Sequence, residues 1–331
     1  MKPAPARPYL LADRCVDAAA GFVSPLLPTA LHPGRRAKRE LTAIASTRSW
    51  ASDGLARAVI ASRLRSALLL RLVRQLDGAY LRAFVDSHVQ FRNEHALTQA
   101  CASGRPLILA TPHTEVSVLA CLAAARRLAK DRPFAILYQS EMRNGGIGKL
   151  VESMGVPAIL LHGFAGTVRA FELLRRGGCV ATMPDAFHDV ADTIAVPFLG
   201  RWLRVAVGVA FLAHRSHALL LPGFARPVRG LLVRVDVGHP VDARDPGAED
   251  ERQLAFALTC QLFAELERLI ARAPEHWVYL ERLRRLSTPM GLARSPGSRE
   301  LTAALAALCR NNPALVRRVP ELAPLIQELT P

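Results

Sequence analysis

The stretch Leu107–Ala125, "LILATPHTEVSVLACLAAA", opens with four unbroken apolar residues, passes through Thr-Pro-His, and continues in a pattern suited to a helix. A short apolar run closed by proline reads as a buried strand, and strand followed by helix is the repeating unit of a parallel sheet. Thr111 is the expected N-cap, with Pro112 at the first helical position, so the spacing predicts His113 at a helix amino end, beside N–H groups free to hold negative charge. Open α/β sheets bind ligands just past the carboxyl ends of their strands. His113 is therefore a candidate base in a site, and the alternative is a histidine satisfied within the structure.

The same alternation runs outward from this stretch. "PFAILYQ", "VPAILLHG" and "CVATMPD" are further apolar runs separated by helical segments around Gly148 to Met154 and from Thr167 to Arg176. "ALLLPGFAR" and "GLLVRVDVGHPV" read as later strands, with a helix expected from Trp202 to Ser216 between earlier and later runs, and another from Gln253 to Arg272. The fold class is α/β: a mixed, mostly parallel central sheet flanked by helices, with N-terminal and C-terminal helical extensions. The expected organisation is a helical region at 1–88, a central domain at 89–290 and a Pro-punctuated helical extension at 291–331. From Leu55 to Phe84 the apolar residues Leu55, Val59, Leu69, Val73, Leu76, Tyr80 and Phe84 share one side of a projected helix, with Arg63, Arg71, Arg74 and Arg82 on the other.

Composition narrows the function. The chain of 331 residues carries 43 Lys and Arg against 28 Asp and Glu, a net charge of +15, with 50% hydrophobic residues. Disorder is excluded by the apolar content. An excess of cations suits an acidic partner or an anionic membrane surface, although a GC-rich coding background gives the same Arg and Ala excess. No zinc-finger spacing, RNA-binding aromatic signature or Lys-rich arm points to nucleic acid. Six cysteines without C-x-x-C spacing suit a reduced compartment, and no signal peptide is expected. Residues 18–34, "AAAGFVSPLLPTALHPG", lack charge but contain two prolines and fall short of the ~20 residues of a spanning helix. They are followed by Arg35, Arg36, Lys38 and Arg39, which leaves two readings, an interfacial segment on an anionic leaflet or a buried helical hairpin.

Other patterns are weaker. "DAFHDVAD" places Asp185, His188, Asp189 and Asp192 at i, i+3, i+4 and i+7, which makes a metal-dependent hydrolase a third reading of the chain, but a helix start rich in acids explains the same pattern and no metal is expected. "ILLHGFAG" resembles an oxyanion turn of α/β-hydrolases, yet no G-x-S-x-G elbow accompanies it. His214 and His217 are read as structural or surface residues.

Four blocks carry a resemblance spanning about Val89 to Arg285. "ALTQACASGRPLILATPH", "LLRRGGCVATMPDAF", the block beginning "VPFLGRWLRVAVG" and "APEHWVYLERLRR" stand in the order found in the lipid A late acyltransferase branch of the lysophospholipid acyltransferase superfamily, which the chain resembles. The resemblance implies an acyl group carried from an acyl carrier protein or coenzyme A thioester to a hydroxyl or amine of a lipid-like acceptor, with no further cofactor. It implies the cytoplasmic face of a bacterial inner membrane as the place of work. His113 would be the general base of the family's H-x4-[D/E] motif, but the acid's position holds Val118. Glu115 and Asp185 are both open as its replacement. Arg201 in "PFLGR", Arg143 and Thr114 are the expected substrate-binding residues. Val118 also keeps open a protein of the same fold that binds acyl chains or a carrier protein without catalysis.

Overall fold

The computed structural model describes residues 52–138, 146–161, 163–185, 193–244 and 251–289, together with 307, 309, 310 and 313–323 of the C-terminal tail. Expectations for residues 18–34, Arg143 and the 186–192 part of the acidic cluster lie outside these residues.

The apolar run at Leu107–Ala110 (β2) sits between two parallel neighbours, Cys179–Thr182 (β5) and Leu219–Pro227 (β8). Its residues alternate between two cores. Leu107 faces a cluster with Leu69, Phe84, Leu119 and Leu122, whereas Ile108 faces one with Leu174, Val180, Leu220 and Leu258. A strand buried on both faces must be apolar at every position, which is why this stretch lacks the polar alternation of an exposed strand. The strand order is β1-β9-β8-β2-β5-β3-β4, with β10 beside β8. Here β1 is Val89–Arg92, β3 Phe134–Tyr138, β4 Ala158–Leu160, β9 Val233–Val237 and β10 Val241–Asp242. All neighbours on the path are parallel except β8 and β9, and β10 pairs antiparallel with β8.

Helices cover both faces. Ser52–Val73 (α1), Gly78–His88 (α2), Glu94–Ala102 (α3), Ser117–Leu128 (α4) and Gly146–Ser153 (α5) lie in chain order before Gly163–Arg175 (α6), Gly208–Ser216 (α7) and Glu251–Ile270 (α8). The expected single helical run from Leu55 to Phe84 is two helices. Asp77 caps α2, its Oδ1 accepting from the N–H groups of Ala79 and Tyr80 at 3.1 Å, so the backbone turns between Val73 and Gly78. The break rotates Tyr80 off the apolar side, and it is 63% exposed while Phe84 is fully buried.

The expected helix from Trp202 begins six residues later. Thr193–Phe198 (β6) and Arg201–Ala206 (β7) form an antiparallel hairpin that the block "VPFLGRW" turns at Leu199 and Gly200, with φ of 49° and 70°. Two successive positive φ values suit the right-handed strand twist, and glycine tolerates the second without strain. The first falls on a leucine whose N–H donates to the buried Glu267 Oε2 at 2.7 Å. Ser287–Pro289 (β11) extends this small sheet beside β7, following the short helix Leu283–Leu286 (α9). The hairpin, α8, and the tail helix Pro313–Arg318 (α10) with Leu315, Val319 and Leu322 close a third apolar cluster around Trp277.

Candidate active site

Two parallel strands carry the site. In the pairing of β2 with β5, Ala110 stands opposite Thr182, and the ladder continues one step as Thr111 N–H donates to Thr182 O at 3.0 Å. His113 and Asp185 each lie three residues past these partners, so the register brings them level at the carboxyl edge of the sheet. His113 Nδ1 is 2.7 Å from Asp185 Oδ1, and the His113 backbone N–H donates to Asp185 Oδ2 at 2.9 Å.

The chain around His113 is not the start of a helix. α4 begins at Ser117, with Val116 at its N-cap and no side-chain capping bond, which corrects the expected cap at Thr111. Pro112 holds Thr111 extended, and the next residues are zipped to a distant segment: Val278 N–H donates to His113 O at 3.0 Å, and Thr114 bridges Trp277 in antiparallel fashion. An extended backbone uses those partners in place of the helical ladder.

Asp185 is 1% exposed. A carboxylate removed from water is tolerated when its lone pairs are taken by donors. Here the donors are the His113 N–H, the His113 ring and the Trp277 indole N–H, the last at 2.8 Å from Oδ2. Burial pulls the His113 imidazole toward lower pKa, but the charge of Asp185 and its hydrogen bond outweigh burial, and the net shift is upward from 6.5. With Asp185 at Nδ1, Nε2 carries no hydrogen bond among the described residues. Tyr279 stands edge-on to the imidazole with centroids 5.2 Å apart, and burial followed by the Asp185 charge raises its phenol.

His113 opens onto a cavity of about 240 Å³ that runs between α4, α5 and β3. Val118, 4% exposed, is part of its wall, so the position at which the resemblance expects an acid presents methyl groups instead. Thr114 Oγ1 is buried on the same wall without a hydrogen-bond partner. Such a group is costly to leave unpaired.

The structure brings some expected residues together and not others. Glu115 is exposed at the cavity and makes no contact with the imidazole, leaving Asp185 as the carboxylate at Nδ1. Arg201 does not line the cavity. Its Nε donates to Ser287 Oγ at 2.7 Å and its Nη2 to Ser287 O at 2.9 Å, tying β7 to β11, while burial and then Arg284 lower its pKa. Trp277 and Tyr279 were not singled out from the sequence. Trp277 stands in the block "APEHWVYLERLRR", but nothing in its local pattern marks the indole N–H as a donor to Asp185.

One family model, described as bacterial lipid A biosynthesis acyltransferase, matches residues 81–286. The chain belongs to this acyltransferase family. The match begins inside α2 and ends with α9, so it takes in the whole central sheet, the β6–β7 hairpin and all of His113, Asp185 and Trp277. No curated protein matches this family member. Among the described residues, no helix of the acyltransferase-family fold is long and apolar enough to cross a membrane, and no group of metal-ligating side chains occurs.

Proposed function

We propose that the protein transfers a fatty or related acyl group from an acyl carrier protein or coenzyme A thioester to a hydroxyl, or an amine, of a lipid-like acceptor. One observation carries the reading: His113, at the mouth of an apolar cavity, has its Nδ1 held at 2.7 Å by a buried carboxylate. That bond fixes the tautomer with the proton on Nδ1 and leaves the Nε2 lone pair for the acceptor. As the acceptor oxygen attacks the thioester carbonyl, its proton passes to Nε2. The new C–O bond forms, the C–S bond breaks, and the departing thiolate takes the proton back from the imidazolium. The Asp185 carboxylate, hydrogen-bonded to Nδ1, steadies the transient positive ring.

The tetrahedral intermediate places negative charge on the former carbonyl oxygen. Thr114 Oγ1 is the buried hydroxyl on this wall with a donor to spend, and we assign it to that oxygen or to the acceptor hydroxyl. An apolar tail fits the part of the cavity walled by Val118, Ile136, Val151 and Met183, which offer no polar partner, while Arg74, Tyr138 and Glu152 line the rest. Val118 then serves as acyl-chain wall. The work of the missing acid falls to Asp185, reached through the sheet rather than along the helix.

The net charge of +15 suits an acidic carrier protein or an anionic cytoplasmic membrane face, to which the protein would attach peripherally. Catalytic silence is the second reading, and Val118 is the observation that favours it. One experiment separates the two: wild type and His113→Ala incubated with carrier-protein and coenzyme A thioesters and membrane extract, followed by intact mass. Thioester loss that disappears in His113→Ala supports the transferase. Carrier or acyl-chain binding without turnover in the wild type supports the silent protein.

A further inference from the structure

The 240 Å³ cavity runs along the side of α4, and a second, smaller apolar space lies along the same helix. It is a space of about 40 Å³ between α4 and the sheet, walled by residues of β1, β2, β8 and β9. Ala120 and Ala124 of α4, Ala110, Ala181 and Gly223 are among its walls, and its surface is almost wholly apolar. Cys121 is the one residue that lines both spaces. On the helix, Val118 and Cys121 sit one turn apart along the first cavity, and Cys121 and Ala124 one turn apart along the second, so a continuous stripe of small side chains leads inward from His113.

We propose that Cys121 is the gatepost that ends the acyl pocket and sets the longest chain accepted, with the smaller space beside it as a built-in extension. The inference rests on the acyltransferase reading of the first cavity. Protein interiors fill to crystal-like density, and walls left without packing partners forfeit those contacts. The walls, among them Phe91, Leu97, Leu221 and Val235, offer almost no polar group, so the fitting occupant is the methyl end of a hydrocarbon chain. Cys121 acts here by size. Burial pushes its thiol up to about 12, so it is protonated at neutral pH and is not a nucleophile toward the thioester nearby.

The geometry makes two variants informative. Cys121→Ala removes the sulfur that separates the spaces and joins them. Ala124→Leu fills the smaller space from the far side and leaves the first cavity untouched. The measurement is competition among saturated acyl thioesters of graded length, with products resolved by mass, alongside retention of free fatty acids of graded length by native mass spectrometry. Cys121→Ala should extend the accepted length, favouring each added methylene that the smaller space receives about fourfold over the wild type. Ala124→Leu alone should leave the wild-type profile in place, and Cys121→Ala combined with Ala124→Leu should return the extended profile to it. A wild type that transfers or retains acyl chains, with an unchanged cut-off in a folded Cys121→Ala protein, overturns the gatepost while leaving the transferase standing. A wild type that neither transfers nor retains any chain overturns both.

Discussion

At the scale of single residues, the central fact is that His113 finds its carboxylate 72 positions away and not five. A sequence places His113 at a strand end because the apolar run before it is plain. It does not disclose that β5 rather than β3 lies next to β2, and the choice between Glu115 and Asp185 depends on that neighbour. Trp277 comes from further still, 92 positions from Asp185, and no local pattern joins the two. The dyad predicts a pH profile. His113 has a raised pKa in the folded protein, so it is protonated and unable to act as a base until the pH passes above 6.5, and transfer should rise with an inflection beyond that value. Asp185→Asn removes the charge that raises it. The inflection should then move to lower pH, and the rate should fall about 10²–10⁴-fold as the ring loses its tautomer and its partner. An unmoved inflection in Asp185→Asn would show that another group titrates. The linked stability runs the opposite way: the His113–Asp185 pair contributes most below pH 6.5 and is lost as the pH rises through the folded pKa.

At the scale of elements, continuous apolar runs were the legible part, because a strand buried on both faces has no other way to be written. The β6–β7 hairpin was hidden for the same physical reason in reverse. Trp202 and Leu203 are adjacent and both buried, which breaks the period of two and imitates a helix start, and the turn uses a leucine in a conformation that leucine rarely adopts. The break before α2 was written in the sequence as Asp77-Gly78, but the periodicity of the flanking helices runs across it. α1 is fastened to the segment that supplies Trp277: Ser62 Oγ and His276 Nδ1 are 2.6 Å apart, both buried. Burial, then the charges of Arg226 and Arg65, lowers the His276 imidazole from 6.5 to about 4. The folded protein therefore refuses a proton that the unfolded chain accepts between those values, and stability should fall as the pH drops through that window, by about 3 kcal/mol from this group. Melting temperature against pH, compared between wild type and His276→Gln, isolates the effect. The wild-type curve should fall more steeply toward pH 4, and parallel curves would mean that His276 does not control the fastening.

At the scale of the whole molecule, the three layers leave one edge of the sheet for function. β2, β3, β4 and β5 all run toward it in parallel. His113 and Asp185 follow β2 and β5 there, and β4 delivers Leu161 and, across the start of α6, Phe164, which is 83% exposed. An aromatic ring held in water after β4, at the edge of the sheet that carries His113, is a poor arrangement for a protein surrounded only by solvent. Under the proposed peripheral attachment, the same ring would bury in the interfacial region of a bilayer, and the surplus of cations would hold the protein to anionic headgroups. Co-sedimentation with vesicles containing phosphatidylglycerol should therefore show two separable contributions. Rising salt should weaken binding to anionic vesicles, because exposed charges are screened over about 10 Å at 0.1 M. Phe164→Ser should weaken it about tenfold or more at fixed salt, the loss expected for one buried aromatic side chain. Its turnover of a water-soluble acceptor should be unchanged, since Phe164 does not line the cavity. Vesicle binding that ignores both the salt and the Phe164 substitution would move the membrane contact away from this edge of the sheet and separate lipid attachment from delivery of the acceptor to His113.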